Sequence, residues 1–313
     1  MRTGVSYLGH HNPRHMLTDI KEMQTLGCAD VLLAAQENDF VWLDGKLKFL
    51  PRIAADHGIR PIAIFWGLFN LFGGGRSSQF LLDHPDCHQS GKAGEYRSVG
   101  CYMNPKAVAH VKELIDRIAQ WGYKGYFIDE PTPIDCYCAA CCNQYREWSG
   151  GDLKTAKTED VTAFRSRCVT HYIETIAGYI KSTHPHIETM CCLMECDQSI
   201  WEAAAKIANL DNLGSDIYWC NNTRPVEEMT PLVRNMADIC RKRNKIHHEW
   251  LQCWTVKAGN EQRIIDQGRI LIRERPDALY IWAYAAQVGT QETCANVELA
   301  WSNACQILRE AKS

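Results

Sequence analysis

Strand-like and helix-like segments alternate along this chain from one end to the other, eight of each, and few folds accommodate that order. Short runs of β-branched, aromatic and other apolar residues fall at 5–8, 31–35, 61–66, 126–129, 188–193, 215–219, 245–250 and 278–284. Stretches of 3.6-residue periodicity predict helices at about 13–26, 47–57, 105–121, 160–182, 199–208, 226–241, 261–275 and 294–311. Val108, Val111, Leu114, Ile115 and Ile118 mark one apolar face, and Ile264, Ile265, Ile270 and Leu271 mark another. Asn104 followed by Pro105 reads as a helix cap and first turn. The strands are continuous apolar runs rather than alternating ones, as burial of both sheet faces demands. Eight β–α units in series therefore predict an α/β protein of (β/α)8 barrel type. An open doubly wound sheet would carry a Gly-rich fingerprint after its first strand, and none is there. No linker, low-complexity segment or charge block divides the chain. Residues 1–313 are expected to form one barrel domain with long loops after the third and fourth strands.

Composition narrows the partners. The net charge is −3, and the 34 basic residues are scattered, which argues against nucleic acid or an anionic membrane. No apolar run approaches the roughly 20 residues that span a bilayer. The opening residues pass straight into a strand without a leader-like apolar region, so a cytoplasmic location is expected. Sixteen cysteines are many for 313 residues, and in a reducing compartment they would remain thiols. Nothing in the sequence fixes the oligomeric state, and self-association is compatible with it.

In a barrel of this kind the loops after the strands form one face, and that face carries the site. The most informative strand end is Tyr126-Phe127-Ile128-Asp129-Glu130-Pro131, where an apolar run stops at two carboxylates and a proline. Buried acids cost desolvation energy and are retained mostly where charge is used. The other strand ends supply His10 and His11; Gln36, Glu37 and Asn38; Trp66; Glu195 and Asp197; Asp216 and Tyr218; His248, Glu249, Trp250, Gln252 and Trp254; and Trp282 and Gln287. Carboxylates, amides and aromatics with few cations suit a neutral carbohydrate, whose apolar ring faces stack on aromatics while its hydroxyls bond to amides and acids. His10, His11, Glu37, Asn38, Trp66, Asp216, Tyr218, Trp254, Trp282 and Gln287 are the candidate substrate-binding residues. A phosphate ligand would call for cations or aimed helix N-termini instead.

These motifs resemble those of the clan A glycoside hydrolase barrels, which carry Asn-Glu-Pro or Asn-Glu after the fourth strand and a second Glu after the seventh. Ile128-Asp129-Glu130-Pro131 is similar to the first motif with Asp in place of Asn, and Lys245-Ile246-His247-His248-Glu249-Trp250 is similar to the second. Asp216-Ile217-Tyr218-Trp219 resembles the Tyr position of the sixth strand, and Ile281-Trp282-Ala283-Tyr284 the Trp position of the eighth. Where that clan usually has an Arg near the second strand end, this chain has Gln36-Glu37-Asn38. The resemblance implies a retaining glycosidase of carbohydrate metabolism, without an organic cofactor. Glu130 would be the acid/base beside Asp129, Glu249 the nucleophile, Tyr218 its hydrogen-bond partner and Trp282 the floor of the sugar subsite.

A second pattern stays open: barrels of the α-galactosidase kind, in which Asp129 would be the nucleophile and Asp216 the acid. Two further alternatives are a metal-dependent sugar isomerase or lyase, which needs several acids converging on one ion, and a non-catalytic carbohydrate-binding barrel. Separately, Cys136, Cys138 and Cys141 have the spacing of a zinc half-site, and Cys87 is the expected fourth ligand, ahead of His84, His88 or Cys101. Such an ion would staple two long loops. Gly73-Gly74-Gly75-Arg76-Ser77-Ser78 lacks the Gly-Lys-Ser/Thr ending of a phosphate loop and reads as a loop at the rim of the cleft.

Overall fold

The computed structural model describes residues 1–73 and 77–312; the centre of the glycine run, Gly74 to Arg76, lies outside the described residues. The elements in chain order are β1 (Arg2–Tyr7), α1 (Pro13–Thr25), β2 (Asp30–Ala35), α2 (Glu37–Trp42), α3 (Asp44–Asp56), β3 (Arg60–Phe65) and α4 (Gln79–Asp83). Next come β4 (His88–Ser90), β5 (Tyr96–Gly100), α5 (Pro105–Trp121), β6 (Gly125–Ile128), α6 (Ala139–Ser149) and α7 (Thr158–Thr183). The chain continues through β7 (Glu188–Met194), α8 (Gln198–Ala205), β8 (Asn212–Asp216), α9 (Thr230–Lys242) and β9 (Ile246–Gln252), and closes with α10 (Gln262–Glu274), β10 (Ala278–Trp282) and α11 (Val297–Glu310). Eight parallel strands form a closed ring in the order β1-β10-β9-β8-β7-β6-β3-β2, and β4 and β5 form a separate antiparallel pair in the loop after β3. The expected (β/α)8 barrel is therefore the fold.

Strand periodicity sorts side chains into two cores. Leu32, Ala34, Ile62, Ile64, Phe127, Met190, Cys192, Trp250 and Tyr280 fill the barrel interior. The alternate residues, among them Val31, Leu33, Ala63, Cys191, Leu213, Leu251 and Ile281, pack outward against the helices. The expected cap of α5 forms, with Asn104 Oδ1 accepting from the Lys106 N–H at 2.9 Å. At the end of the barrel where the strands begin, a polar network closes the interior. Arg2 and Arg60 pair with Glu188, Arg60 also pairs with Asp30 at 2.8 Å, and Asn212 Nδ2 donates to Glu188 at 2.8 Å. Among the described residues no helix is long and apolar enough to cross a membrane.

Four expectations require correction. The sixth barrel strand is Asn212–Asp216 rather than 215–219, because Asn212 and Gly214 serve as inward positions facing His248 and not as turn residues. The seventh runs two residues past its expected end, to Gln252. The cysteine-rich loop contains a helix, α6, and the single helix expected over 47–57 is preceded by a short one, α2.

Candidate active site

β6 stops at Ile128, and Glu130 takes a left-handed φ of 43°. Adjacent strand residues point to opposite sides, so Asp129 and Glu130 could not share a pocket on a continuing strand. The turn at Glu130 removes that constraint, and both carboxylates line one pocket at the mouth of the barrel. A non-glycine residue held at positive φ costs on the order of 1–3 kcal/mol, and such strain concentrates at functional sites.

The pocket measures about 90 Å³ and is lined by Trp66, Gly73, Asp129, Glu130, Cys192, Tyr218, Trp250, Trp254, Trp282 and Glu292. Its aromatic wall is a chain of edge-on contacts: Trp66 to Trp282 at 5.7 Å, Trp282 to Trp250 at 5.8 Å, and Tyr218 to Trp254 at 5.7 Å. Trp66 Nε1 donates to the Gly73 carbonyl at 2.6 Å and so fixes the start of the glycine loop over the pocket. Gly73 has φ 72°, and a Cβ there would lie 1.8 Å from Asp129 Oδ2, so only glycine fits over that carboxylate.

Asp216, the buried last residue of β8, stands two strands along the barrel from β6. Burial, the Glu130 charge, a hydrogen bond shared with Glu130 and the Asp129 charge all push the Asp216 carboxyl well above the usual range. Burial and the Glu130 charge do the same to Asp129, against a Cys192 thiol contact 3.6 Å from Oδ1. Three carboxyl groups thus converge, and burial with the neighbouring charge disfavours the ionised forms of Asp129 and Asp216. The indole N–H groups of Trp250 and Trp254 and Asp216 Oδ1 are buried without a hydrogen-bond partner. Orphaned buried donors and acceptors are uncommon and mark groups kept for a ligand.

Glu249 is not part of this site. It sits in the middle of β9, opposite Ser215 of β8, with its side chain in the layer between sheet and helices. It is fully buried; Ser215 Oγ donates to its two oxygens at 3.0 and 2.8 Å, and His247 Nε2 lies 2.7 Å away. Inward positions on β9 carry His248 and Trp250, so Glu249 points the wrong way by one residue. The last inward position, Gln252, accepts from the Cys220 N–H at 2.9 Å and donates to the Trp254 carbonyl at 3.1 Å.

Of the remaining candidates, Trp66, Tyr218, Trp254 and Trp282 line the pocket with Asp129 and Glu130, and Asp216 is buried next to it at the end of β8. His10 and His11 do not: both are exposed near the start of α1, and His10 lies 3.3 Å from Asp19. Asn38 is exposed on α2. Glu37 is buried but turned toward the helices, accepting from the Phe69 N–H, and lines a different cavity. Gln287 lines a neighbouring pocket instead. Cys192 and Glu292 were not anticipated. The inward parity of the fifth strand points to Cys192, whereas Glu292 sits in a loop without a strand pattern.

In the loops after β5 and β6, Cys101, Cys136, Cys138 and Cys141 form a group whose sulfur atoms all lie within 4.8 Å of one another. Cys101 Sγ is 3.5 Å from Cys141 and 3.6 Å from Cys138. A tetrahedron of roughly 2.3 Å metal–sulfur bonds has edges of about 3.8 Å, so the four thiols could hold a metal ion as they stand. The fourth sulfur is Cys101, not Cys87. Cys87 is buried nearby, where its carbonyl accepts from the Cys101 N–H at 2.9 Å. The His88 ring is engaged with the Arg97 and Leu81 carbonyls, and His84 packs on Phe80 at 4.5 Å. Hydrogen bonds among the thiols lower Cys138 and Cys136 and raise Cys141 and Cys101.

A closed ring of eight parallel strands with carboxylates and indoles at its mouth defines a (β/α)8 barrel, and solved structures are similar to it at the level of fold. A β-galactosidase from the Antarctic haloarchaeon Halorubrum lacusprofundi superposes on all of this chain with a TM-score of 0.75 and 15% identity. A β-galactosidase from the psychrophilic Marinomonas ef1 gives 0.72 and 12%, again over the whole chain. The chain spans only 58% and 60% of those two proteins. An endo-1,4-β-mannanase from Rhizomucor miehei matches over 99% of this chain and 95% of its own, with a TM-score of 0.65 and 13% identity. No protein-family model matches the chain, and no curated protein matches it in sequence.

Proposed function

We propose that the protein is a glycoside hydrolase whose reacting pair is Glu130 and Asp216. The observation that supports this reading is an indole-walled pocket at the barrel mouth that Glu130 lines, with the buried carboxyl of Asp216, one oxygen of it unpartnered, at the end of β8 within reach of the Glu130 charge. Glycoside cleavage needs one protonated and one ionised carboxyl across the linkage. Burial, and then the Glu130 charge, favour the neutral form of Asp216, which makes it the proposed acid. A linkage entering the pocket replaces the contact between them. Asp216 gives its proton to the glycosidic oxygen as the C1–O bond breaks, and Glu130 bonds to C1. Water then attacks C1, yields its proton to the Asp216 carboxylate and releases Glu130. Double displacement with retention of configuration is the proposed course, the one in which the two carboxyls stand roughly 5–5.5 Å apart rather than 6.5–9.5 Å.

Asp129 is the third carboxyl of the pocket, and the alternative pairing of Asp129 with Asp216 draws support from their proximity. Glu130 is favoured because Gly73 lies directly over Asp129 Oδ2. A metal-dependent isomerase draws no such support. Among the described residues, the only His, Cys, Asp and Glu cluster spaced to hold an ion is the four thiols. For those thiols zinc is the ion proposed, since four thiolates in a tetrahedron are a common structural zinc site. It would supply no chemistry to the carboxylates and would tie the loop after β5 to the loop after β6.

A screen of chromogenic α- and β-glycosides, with NMR of the first product formed, tests the function. Glu130→Gln and Asp216→Asn are each expected to lower kcat by about 10²–10⁴-fold. Wild-type turnover in either variant would remove that residue from the reaction.

A further inference from the structure

The pocket at Asp129 and Glu130 is small for a ligand site, at about 90 Å³ against the roughly 300–1,000 Å³ that such sites enclose. It is not isolated. Trp66 and Glu292 also line a second pocket of about 470 Å³, whose other walls include Gly9, Gln36, Asp39, Lys46 and Gln287. Lys46 and Asp39 form a buried ion pair at 2.8 Å, and the lysine stem packs over Gly9, where a Cβ would lie 3.0 Å from Lys46 Cδ. Gln287 is 3% exposed; its Nε2 donates to Glu292 at 3.0 Å, while its Oε1 is buried with no partner. A buried amide oxygen without a donor costs on the order of 1–3 kcal/mol and is retained where a ligand supplies the missing hydrogen.

Resting on the reading of the neighbouring carboxylates as a glycosidase centre, we infer that this second pocket is a subsite for an adjoining sugar ring. The substrate is then an uncharged disaccharide or longer glycan that bends around Trp66. The donor and acceptor set supports a neutral ring. Lys46 is already balanced by Asp39, so the pocket offers no net cation to a uronate or sulfate, and Glu292 opposes an anion. Gln287 Oε1, the Gln36 amide and the ion pair match hydroxyl groups, and the indole of Trp66 separates the two rings.

The test compares nitrophenyl monosaccharides with the matching nitrophenyl disaccharides for wild type, Gln287→Leu and Gln291→Ala, the last at an exposed position on the pocket wall. Wild type is expected to prefer the disaccharides by at least tenfold in kcat/KM, and Gln287→Leu to erase about tenfold of that ratio. An unchanged ratio in both variants overturns the subsite. If wild type cleaves no glycoside, the hydrolase reading fails while the subsite is still judged by binding. Cellobiose, mannobiose and lactose are then titrated against tryptophan fluorescence. Binding of at least one of them that Gln287→Leu weakens tenfold sustains the pocket's role, and absence of binding by all three overturns it.

Discussion

Replacing Glu249 by Ala separates two accounts of the same residue. As the nucleophile suggested by the strand-seven motif, its loss would abolish turnover with little effect on folding. The structure assigns it the opposite character. Its carboxylate is fully buried, takes a hydrogen bond from Ser215 shared between its two oxygens and lies 2.7 Å from His247 Nε2, so truncation leaves two buried polar groups without a partner. Removing one member of a buried hydrogen-bonded pair costs about 3–5 kcal/mol. With an unfolding entropy of about 2.1 cal/mol/K per residue, a chain of this size loses roughly 5–8 °C of Tm. Glu249→Gln keeps one acceptor and the side-chain volume and is expected to lose about half as much. Melting followed by circular dichroism, beside kcat on the best glycoside from the screen, provides the measurement. Glu249→Ala should melt early yet turn over within a few-fold of wild type below its transition. A variant that melts with wild type but has lost a thousandfold in kcat would refute the assignment and return Glu249 to the chemistry.

The remaining predictions address charge, metal and the glycine loop. Burial opposes the charge on Glu188, but Arg2, Arg60 and Asn212 overcome it and hold its carboxyl at about 2. Its contribution is therefore complete above the unfolded value near 4.3 and is lost as pH falls toward 2. Glu188→Gln should cost about 3 kcal/mol in urea unfolding at pH 7, with the gap to wild type closing between pH 4.5 and 2; a constant gap would contradict the linkage. Purified protein should carry one zinc per chain by atomic emission, lost in Cys101→Ser and Cys138→Ser but retained in Cys87→Ser. Loss in Cys87→Ser with retention in Cys101→Ser would restore the ligand set expected from sequence. Gly73→Ala should lower kcat/KM at least tenfold, because its methyl group collides with Asp129 Oδ2 and Trp66 Cδ1; wild-type kinetics would show that the loop does not rest on the site.

The barrel was legible because its evidence is spread over the whole chain: eight apolar runs, each followed by helical periodicity, survive errors of two or three residues at any boundary. A site is less forgiving, because it depends on which way single side chains point. Glu249 looked like a strand-end acid only while β9 was taken to stop at Trp250. Extending it to Gln252 makes position 249 an outward one. Asp216 and Tyr218 were found even though β8 was placed three residues late, since Asn212 and Gly214 disguise an inward-facing strand as a turn. Asp129 and Glu130 were legible from Pro131, but not the turn at Glu130 that lets both face one pocket. Cys101 was passed over for Cys87 because choosing between two cysteines in one long loop requires the β4–β5 pairing, which no local pattern announces.

Gln252 allows the choice of strand six over strand seven to be tested directly. It holds the last inward position of β9, where a second carboxylate would reach the barrel mouth, yet both ends of its amide are committed: Oε1 to the Cys220 N–H and Nε2 to the Trp254 carbonyl. Gln252→Glu keeps the first bond and turns the second into a contact between two acceptors beneath Trp254, a wall of the pocket. Burying that acceptor without a donor costs about 1–3 kcal/mol. The expected result is a Tm lower by roughly 2–5 °C and a raised KM as Trp254 shifts, with Asp216→Asn still inactive in the Gln252→Glu background. If Gln252→Glu instead restored turnover to Asp216→Asn, strand seven could supply the second carboxylate, and the pairing of Glu130 with Asp216 would not be what the pocket requires.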